Sequence, residues 1–456
     1  MTERCDVSIT GEDFDRLMGH LYPGDDDEHG AILKAGIVTV GDRLRLVVRS
    51  VVLAKPGIDY VEGKIGYRAL DPAFIHREIT NCRDERLAYL AVHNHNCDNR
   101  VGFSGIDMAS HERGYPALRD IGKGVPVGAL VFGRRSAQAD IWMPDGSRKE
   151  LRELRVIGRS IRRLRPSPEK FEHASNEHDR QVLMFGISGQ AVLKKSKVAV
   201  IGLGGIGSLV AEYLGRLGVG EMLLVDPDVI EDTNLSRVVG ANSDDVASKL
   251  LKTTIAERHV GEKADGKIIH AIAEDVAKRP VSSQLRDCDF IFLAADSMRA
   301  RLVFNAVVHQ YLIPGLQLGA KVRADPSGVI DDAMSAVREV RPGYGCLWCN
   351  QLIDPTQLAL EAKTEQERKA QAYGVYTANP SVITLNAISA AHAVNDFLFY
   401  YLGLREDGAA STYHHFHFLK QFPARVTPRK DSECRECGIK GRFARGDAMA
   451  LPGIGE

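Results

Sequence analysis

The sequence predicts an α/β protein in two successive parts, a mixed α+β domain followed by a mostly parallel sheet with helices on both faces. Three observations carry this reading. The chain has 456 residues, which at ~150 residues per domain is about three units. From Ile32 to Val92 the apolar residues fall in short β-branched runs such as Gly36-Ile37-Val38-Thr39-Val40, the pattern of a small sheet. From Ser196 onward continuous apolar strands alternate with helical stretches, as parallel sheets covered on both faces require.

Composition narrows the functional classes. Apolar residues make up 44% and charged residues 26%, the balance of a folded globular protein. Lysine plus arginine number 59 against 60 acids, which argues against a polyanion binder, nucleic acid included. No run reaches the ~18 apolar residues of a membrane helix, so no membrane role is expected. Met1–Asp6 has no apolar signal core, and the expected compartment is the cytoplasm.

Each segment has its own signals. Residues 1–147 hold the first domain. Leu151, Leu154, Ile157, Ile161 and Leu164 recur at helical spacing among arginines, predicting a basic helical linker over 148–172. Val198-Ala-Val-Ile-Gly, Met222-Leu-Leu-Val-Asp and Phe290-Ile-Phe-Leu-Ala are the strands of a second domain at 173–440. The glycine-rich residues 441–456 are expected to form a flexible tail.

Two patterns carry chemistry in the first domain. His93 and His95 are two residues apart and share a face on a strand; Asp107 follows in Ser104-Gly-Ile-Asp. Two imidazoles and a carboxylate hold zinc with one position open to water, the arrangement of a hydrolytic site. The alternative is a pair of solvent-facing histidines and a simple helix cap, Ser104 with Asp107 being a good capping pattern. Glu28, beside Asp25, Asp26 and Asp27, is the candidate proton carrier.

In the second domain Gly202-Leu-Gly-Gly-Ile-Gly207 follows a predicted strand and opens a helix, placing Gly202, Gly204, Gly205 and Gly207 where backbone meets phosphate. Asp226, about 20 residues on, suits a ribose, which fits an NAD-binding module equally well. Asp228, Asn234, Arg237, Lys249 (expected in the next helix), Asp296 and Arg301 then supply cations and an acid, as a site releasing pyrophosphate needs. Cys346/Cys349 and Cys434/Cys437 form two CxxC units, whose thiolates would close a structural zinc site; redox-active CxxC is the competing reading.

These motifs carry two resemblances. Glu28, the HxH of His93/His95 and the SxxD of Ser104/Asp107 resemble the JAB/JAMM (MPN-type) metallopeptidases, with an eight-residue spacer where seven is the commonest in that family. Asn96-Cys97 stands where the family usually has an apolar residue and proline. The resemblance implies His93, His95 and Asp107 as zinc ligands, Glu28 as general acid/base and Ser104 as oxyanion donor. From His178-Asp-Arg-Gln to Cys437 the chain resembles the ThiF/MoeB, ubiquitin-activating type of adenylating enzyme. That resemblance implies a Rossmann-like domain with a four-cysteine zinc site, using ATP and Mg²⁺. It assigns Asp226 and Asp228 to the nucleotide's ribose and neighbouring groups and Asn234, Arg237 and Lys249 to phosphates. Asp296 falls to Mg²⁺, and Arg180 to the ATP of a second subunit in a homodimer.

No cysteine lies between Cys349 and Cys434, where thioester-forming relatives usually carry one. Three outcomes remain: the reaction ends at the acyl-adenylate, a hydroxyl such as Thr377 or Ser381 forms an oxyester, or a lone cysteine elsewhere serves, though Cys5, Cys82 and Cys97 belong to the other domain. The combined resemblance is to bacterial ubiquitination-like operons, associated with phage defence. It implies a ubiquitin-like protein ending in Gly and a conjugating enzyme as partners, with the peptidase maturing or removing that protein. The alternative is activation of a sulfur carrier for thiamine, molybdopterin or cysteine synthesis.

Overall fold

A computed structural model describes residues 3–61, 69–171, 176–261, 267–325, 327–363, 380–405 and 413–454. They form two compact units. The first comprises Met1–Lys170 with Gln310–Leu312 and Arg442–Ala450; the second comprises Phe171–His309, Ile313–Gly441 and Leu451–Glu456. Among the described residues no helix is long and apolar enough to cross a membrane.

The first unit is built on β1 (Glu3–Thr10), α1 (Gly11–Leu21), β2 (Gly30–Val40), β3 (Arg43–Leu53), α2 (Pro72–Glu85), β4 (Ala88–Asn94), α3 (Gly105–Gly122), β5 (Val127–Phe132), β6 (Ala137–Trp142), β7 (Arg148–Ile157) and β8 (Ile161–Leu164). The strand order is β1-β3-β2-β4-β5-β6-β7-β8, and a further β1–β7 pairing closes the mixed sheet into a barrel. Closure removes the edges that an open sheet would expose. One face buries Val7, Ile9, Leu33, Leu46, Leu90 and Leu130 with Phe14 and Leu17 of α1. The other packs Ile32, Tyr89 and Val127 with Phe74 and Ile79 of α2 and Tyr115 of α3.

The basic segment expected as a helix is instead the hairpin β7–β8. The first step of its i,i+3 spacing, Leu151 to Leu154, spans a bulge. Cys5 pairs with Leu151 while the next residue, Asp6, pairs with Glu153, so Arg152 is an extra residue in the ladder. One inserted residue turns a strand's period of two into three and imitates a helix. The arginines there bind carboxylates of the same unit. Glu153 is buried, which alone would raise its pKa, yet the guanidinium groups of Arg155, Arg163 and Arg165 hold it below the usual range.

The segment expected as a flexible tail is also ordered over Arg442–Ile454. Phe443 and Ala444 are buried, and Asp447 accepts from Thr39 N at 2.9 Å. Gly36 makes room: a side chain there would meet Ala444 O at 2.4 Å.

The second unit contains α4 (Asp179–Lys194), β9 (Lys197–Ile201), α5 (Gly205–Leu217), β10 (Glu221–Val225), α6 (Ser243–Ala247), α7 (Lys252–Gly261), β11 (Ile268–Ile272), α8 (Arg279–Ser282), β12 (Phe290–Leu293), α9 (Met298–Tyr311), β13 (Gly315–Ala324), β14 (Ile330–Val340), α10 (Pro355–Glu361), α11 (Ile383–Tyr401), β15 (Tyr413–His417) and β16 (Phe422–Val426). The order is β11-β10-β9-β12-β13-β14-β15-β16. Strands β9 to β13 run parallel and the rest are antiparallel. The winding reverses between β9 and β12, and the carboxyl ends of strands at such a switch point form a ligand crevice. Phe290 and Phe292 of β12 pack on Phe397 of α11, with ring centroids 4.8 and 5.6 Å apart.

His309 is fully buried in this core, and neither ring nitrogen has a hydrogen bond. Burial, aided by Lys430, pushes its pKa down to about 3. The unfolded chain takes up this proton near pH 6.5 and the folded chain does not. Stability present above about pH 6.5 is therefore lost as pH falls towards 3, at up to about 1.4 kcal/mol per pH unit. His309→Leu should flatten this acid slope, read from denaturant midpoints across that range; an unchanged slope would place the proton uptake elsewhere.

Candidate functional site

The chemistry-bearing residues fall into three groups. In the first unit His93 lies near the end of β4, and His95 follows the strand directly. Gly30 of β2 lies opposite His93, which brings Glu28 to the same end of the barrel. Ser104 caps α3: its hydroxyl accepts from Asp107 N at 3.1 Å, and Asp107 Oδ2 accepts from Ser104 N at 2.7 Å. The cap fixes the carboxylate over the imidazoles. His93 Nε2 and His95 Nε2 are 3.2 Å apart, and they lie 3.6 and 3.5 Å from the Asp107 oxygens. Their ligand atoms are grouped as a metal site requires.

Glu28 Oε1 is 3.7 Å from His95 Nε2. Asp25 instead accepts from the His29 ring at 2.8 Å. Burial opposes ionisation of Asp107, but His93, His95 and Ser104 together hold its carboxyl far below the usual range. Asp107 raises the pKa of His95. Desolvation raises Glu28. Cys97 is turned towards Gly133, where a side chain would meet its sulfur at 2.9 Å.

The second group surrounds the turn from β9 into α5. Gly202 has φ +89°, and its missing side chain leaves space for Ala295 N, which a Cβ would approach to 2.6 Å. A Cβ on Gly207 would sit 1.7 Å from Gly202 O. Asp226, buried at the end of β10, accepts from Leu203 N at 2.6 Å and Asp228 N at 2.9 Å. Burial raises its pKa.

Arg237 packs against the loop, its Cδ 3.2 Å from where a Gly205 side chain would begin. Asn234 is buried in a short 3₁₀ turn, its Oδ1 accepting from Glu231 N. Asp296 is exposed just past β12. Arg180 is exposed on the first turn of α4. Arg301 donates through its guanidinium to Leu352 O at 2.8 Å, and Asp296 and Glu361 lie close enough to act on its charge.

Lys249 corrects the sequence reading. It lies between α6 and α7, exposed, at φ +50°, because helix α6 ends in a short turn before α7 starts. Lys252, first residue of α7, reaches Asp228 Oδ2 at 2.7 Å. Thr377 lies outside the described residues, and Ser381 Oγ accepts from Asn386 Nδ2 at 3.2 Å. Two residues escaped the sequence reading. Glu361 receives Met298 N and Arg299 N at 2.8 and 2.9 Å on the first turn of α9. Asn386 of α11 lies over Gly205, 2.2 Å from a Cβ there. Neither belongs to a local motif, so no spacing could announce them.

In the third group, Cys346, Cys349, Cys434 and Cys437 are buried. Their sulfurs are 3.5 Å apart for Cys346–Cys349, 3.8 Å for Cys346–Cys434 and 3.6 Å for Cys349–Cys437. A zinc ion with ~2.3 Å bonds to sulfur gives tetrahedron edges of about 3.8 Å. The donor set therefore fits a structural zinc.

A glycine loop at a sheet switch point, acids at the next strand end and a four-cysteine group define a nucleotide-using α/β domain. The ThiF family matches residues 178–436, and the chain belongs to that family; the match displaces the NAD-module reading. Sulfur carrier protein ThiS adenylyltransferase of Bacillus subtilis is 33% identical over 144 residues, 31% of this chain and 43% of that protein. SAMP-activating enzyme E1 of Haloferax volcanii is 32% identical over 141 residues, 30% of this chain and 52% of that protein. Ubiquitin-like modifier-activating enzyme 5 of Drosophila persimilis is 25% identical over 312 residues, 64% of this chain and 71% of that protein. The alignments thus span about half or less of the first two relatives. A crystal structure of E. coli MccB has a TM-score of 0.48 at 21% identity, covering 58% of this chain and 76% of that one.

The glycine contacts make a direct prediction. Gly207→Ala forces the loop apart at a cost of about 1–3 kcal/mol, so affinity for a fluorescent ATP analogue should fall roughly tenfold or more. Unchanged affinity would mean that this loop does not seat the nucleotide.

Proposed function

We propose that the second unit adenylates the C-terminal carboxylate of a small protein ending in glycine, a ubiquitin-like or sulfur-carrier protein. The observation that carries this is the ThiF-family crevice, where the glycine loop, Asp226, Arg237 and Lys252 converge. A carboxylate oxygen attacks the α-phosphorus of ATP, the bond to the bridging oxygen breaks, and acyl-AMP and pyrophosphate form. The loop N–H groups and the start of α5 receive phosphate oxygens. Asp226, held by Leu203 N and Asp228 N, receives the ribose with Asp228. Asn234, Arg237 and Lys252 meet the phosphates. Asp296 would hold Mg²⁺, which supplies charge neutralisation on the phosphates when bound.

Arg180 serves the ATP of a second copy of the chain. Its neighbours Leu183 and Met184 are 88% and 56% exposed, apolar area that a homodimer would cover. Leu183→Asp with Met184→Asp should give a monomer by light scattering that has lost ATP–pyrophosphate exchange. A fully active monomer would remove Arg180 from the reaction.

We propose further that the first unit is a JAMM-type zinc peptidase acting at the same glycine carboxyl terminus. What supports it is the convergence of Glu28, His93, His95 and Asp107 from separate segments at one end of the barrel. His93, His95 and Asp107 would hold zinc, which supplies a water of lowered pKa when bound. Glu28 carries the proton from water to the leaving amine, and the Ser104 hydroxyl faces the developing oxyanion. The two sites separate by mutation. Asp296→Ala should abolish ATP–pyrophosphate exchange and leave cleavage of a glycine-terminal fusion intact, and His93→Ala should do the reverse. Loss of both activities in either folded variant would break the two-site assignment.

One feature favours the sulfur-carrier reading: the lack of a cysteine between Cys349 and Cys434. Intact mass spectrometry with ATP, Mg²⁺ and the carrier discriminates. Acyl-AMP without an enzyme adduct supports transfer to an outside sulfur or amine, and a hydroxylamine-sensitive adduct supports an oxyester.

A further inference from the structure

A second histidine–carboxylate cluster lies in the second unit, away from the groups described above. His392 and Asp396 are one turn apart on α11, a spacing that puts both on one face, and His414 lies on β15 opposite them. We propose that His392, Asp396 and His414 form a further site for a divalent transition metal. The three ligand atoms lie within 4.8 Å of one another. His392 Nε2 is 3.5 Å from Asp396 Oδ2, and the two imidazole centroids are 4.8 Å apart and inclined by 57°. The rings are therefore not stacked.

The second observation is an under-satisfied atom. His392 Nε2 is buried and makes no hydrogen bond, its contact with Asp396 Oδ2 being an ion pair at 3.5 Å, and buried polar atoms are rarely left so. A metal ion bonded to that nitrogen, to Asp396 Oδ2 and to His414 removes the deficit. The other Asp396 oxygen faces Arg405 Nη2 at 3.4 Å. Arg405 is itself gripped by Glu339 at 3.0 and 2.9 Å. That arrangement orients the carboxylate from behind, as outer-shell partners of metal ligands do. Phe416 walls the site, its ring 5.0 Å from that of His392. All three residues are partly exposed.

Two imidazoles and one carboxylate suit zinc, nickel, cobalt or copper, and not magnesium or calcium, which prefer all-oxygen sets. The surrounding charges are Glu339 and Asp396 against Arg405 and Arg425, so the cluster is near neutral before the ion arrives. Binding is accordingly weaker than at four cysteines, and this ion leaves first on chelation. In place, it ties α11, whose first turn covers Gly205, to the antiparallel half of the sheet. The proposal is independent of the peptidase and adenylation readings.

The test is a Zn²⁺ titration of the chelator-stripped full chain against a chromophoric chelator. His392→Gln with His414→Gln should bind one Zn²⁺ fewer than the wild type, and this equivalent should differ from those lost in Cys434→Ser and His93→Ala. Equal zinc counts in the wild type and the double variant would overturn the site. Histidine acylation of the wild-type chain, mapped by mass spectrometry, decides the matter where the variant fails to fold. Zn²⁺ should suppress labelling of His392 and His414, and equal labelling with and without Zn²⁺ overturns the proposal.

Discussion

The close approach of backbone at the end of β9 governs the second unit. A Cβ on Gly207 would lie 1.7 Å from Gly202 O, and one on Gly202 would lie 2.6 Å from Ala295 N. Only glycine lets α5 begin so near the strand that feeds it. That closeness aims the first N–H groups of α5 into the crevice between β9 and β12, and it leaves Leu203 N free to hold Asp226. Two backbone N–H groups orient the buried carboxylate. In the nucleotide site proposed above it would thus be in place before the ligand arrives, with little ordering left to do.

The other clusters follow the same logic, in which sheets carry donors from distant segments to one point. Antiparallel pairing of β2 with β4 sets Glu28 beside His95. The cap of α3 then adds Asp107, whose carboxylate serves both the helix start and the imidazoles. One residue thus satisfies a structural and a chemical demand, so a capping reading and a ligand reading of Ser104-Gly-Ile-Asp107 are compatible. The two cysteine pairs come from segments 88 residues apart in the chain, and the fold brings their sulfurs to the spacing of a four-thiolate zinc site.

Legibility in the sequence tracks how local each signal is. The glycine loop, Asp226, the paired CxxC units and the HxH with its SxxD are short-range patterns, and each meets its partners in space. The spacing over Leu151–Leu164 misleads because it runs through a bulge at Arg152, a stretch of β7 buried on both faces and the turn into β8, which only the partner strands reveal. Lys249 and Lys252 cannot be separated by composition, since the choice depends on where α6 ends and α7 begins. Glu361 and Asn386 touch the crevice through tertiary contacts alone. The apolar burial of Phe443 and Ala444 likewise depends on a gap left by Gly36, more than 400 residues earlier in the chain.

The cysteines decide how far this chain carries the chemistry by itself. Four are occupied with one another in the CxxC cluster. Burial pushes the thiols of Cys5 and Cys82 up to about 12, and Cys288 is fully buried as well. A thiol attacks as the thiolate and from an accessible position, and these three are buried. Cys97 lies in the first unit, its sulfur against Gly133 and its pKa raised by burial. The thiols of the chain are thus ill-suited to accept an acyl group from an adenylate. For the adenylation proposed above, this favours an end at acyl-AMP, with the activated carboxylate passed to a separate molecule whose own sulfur or amine is the nucleophile.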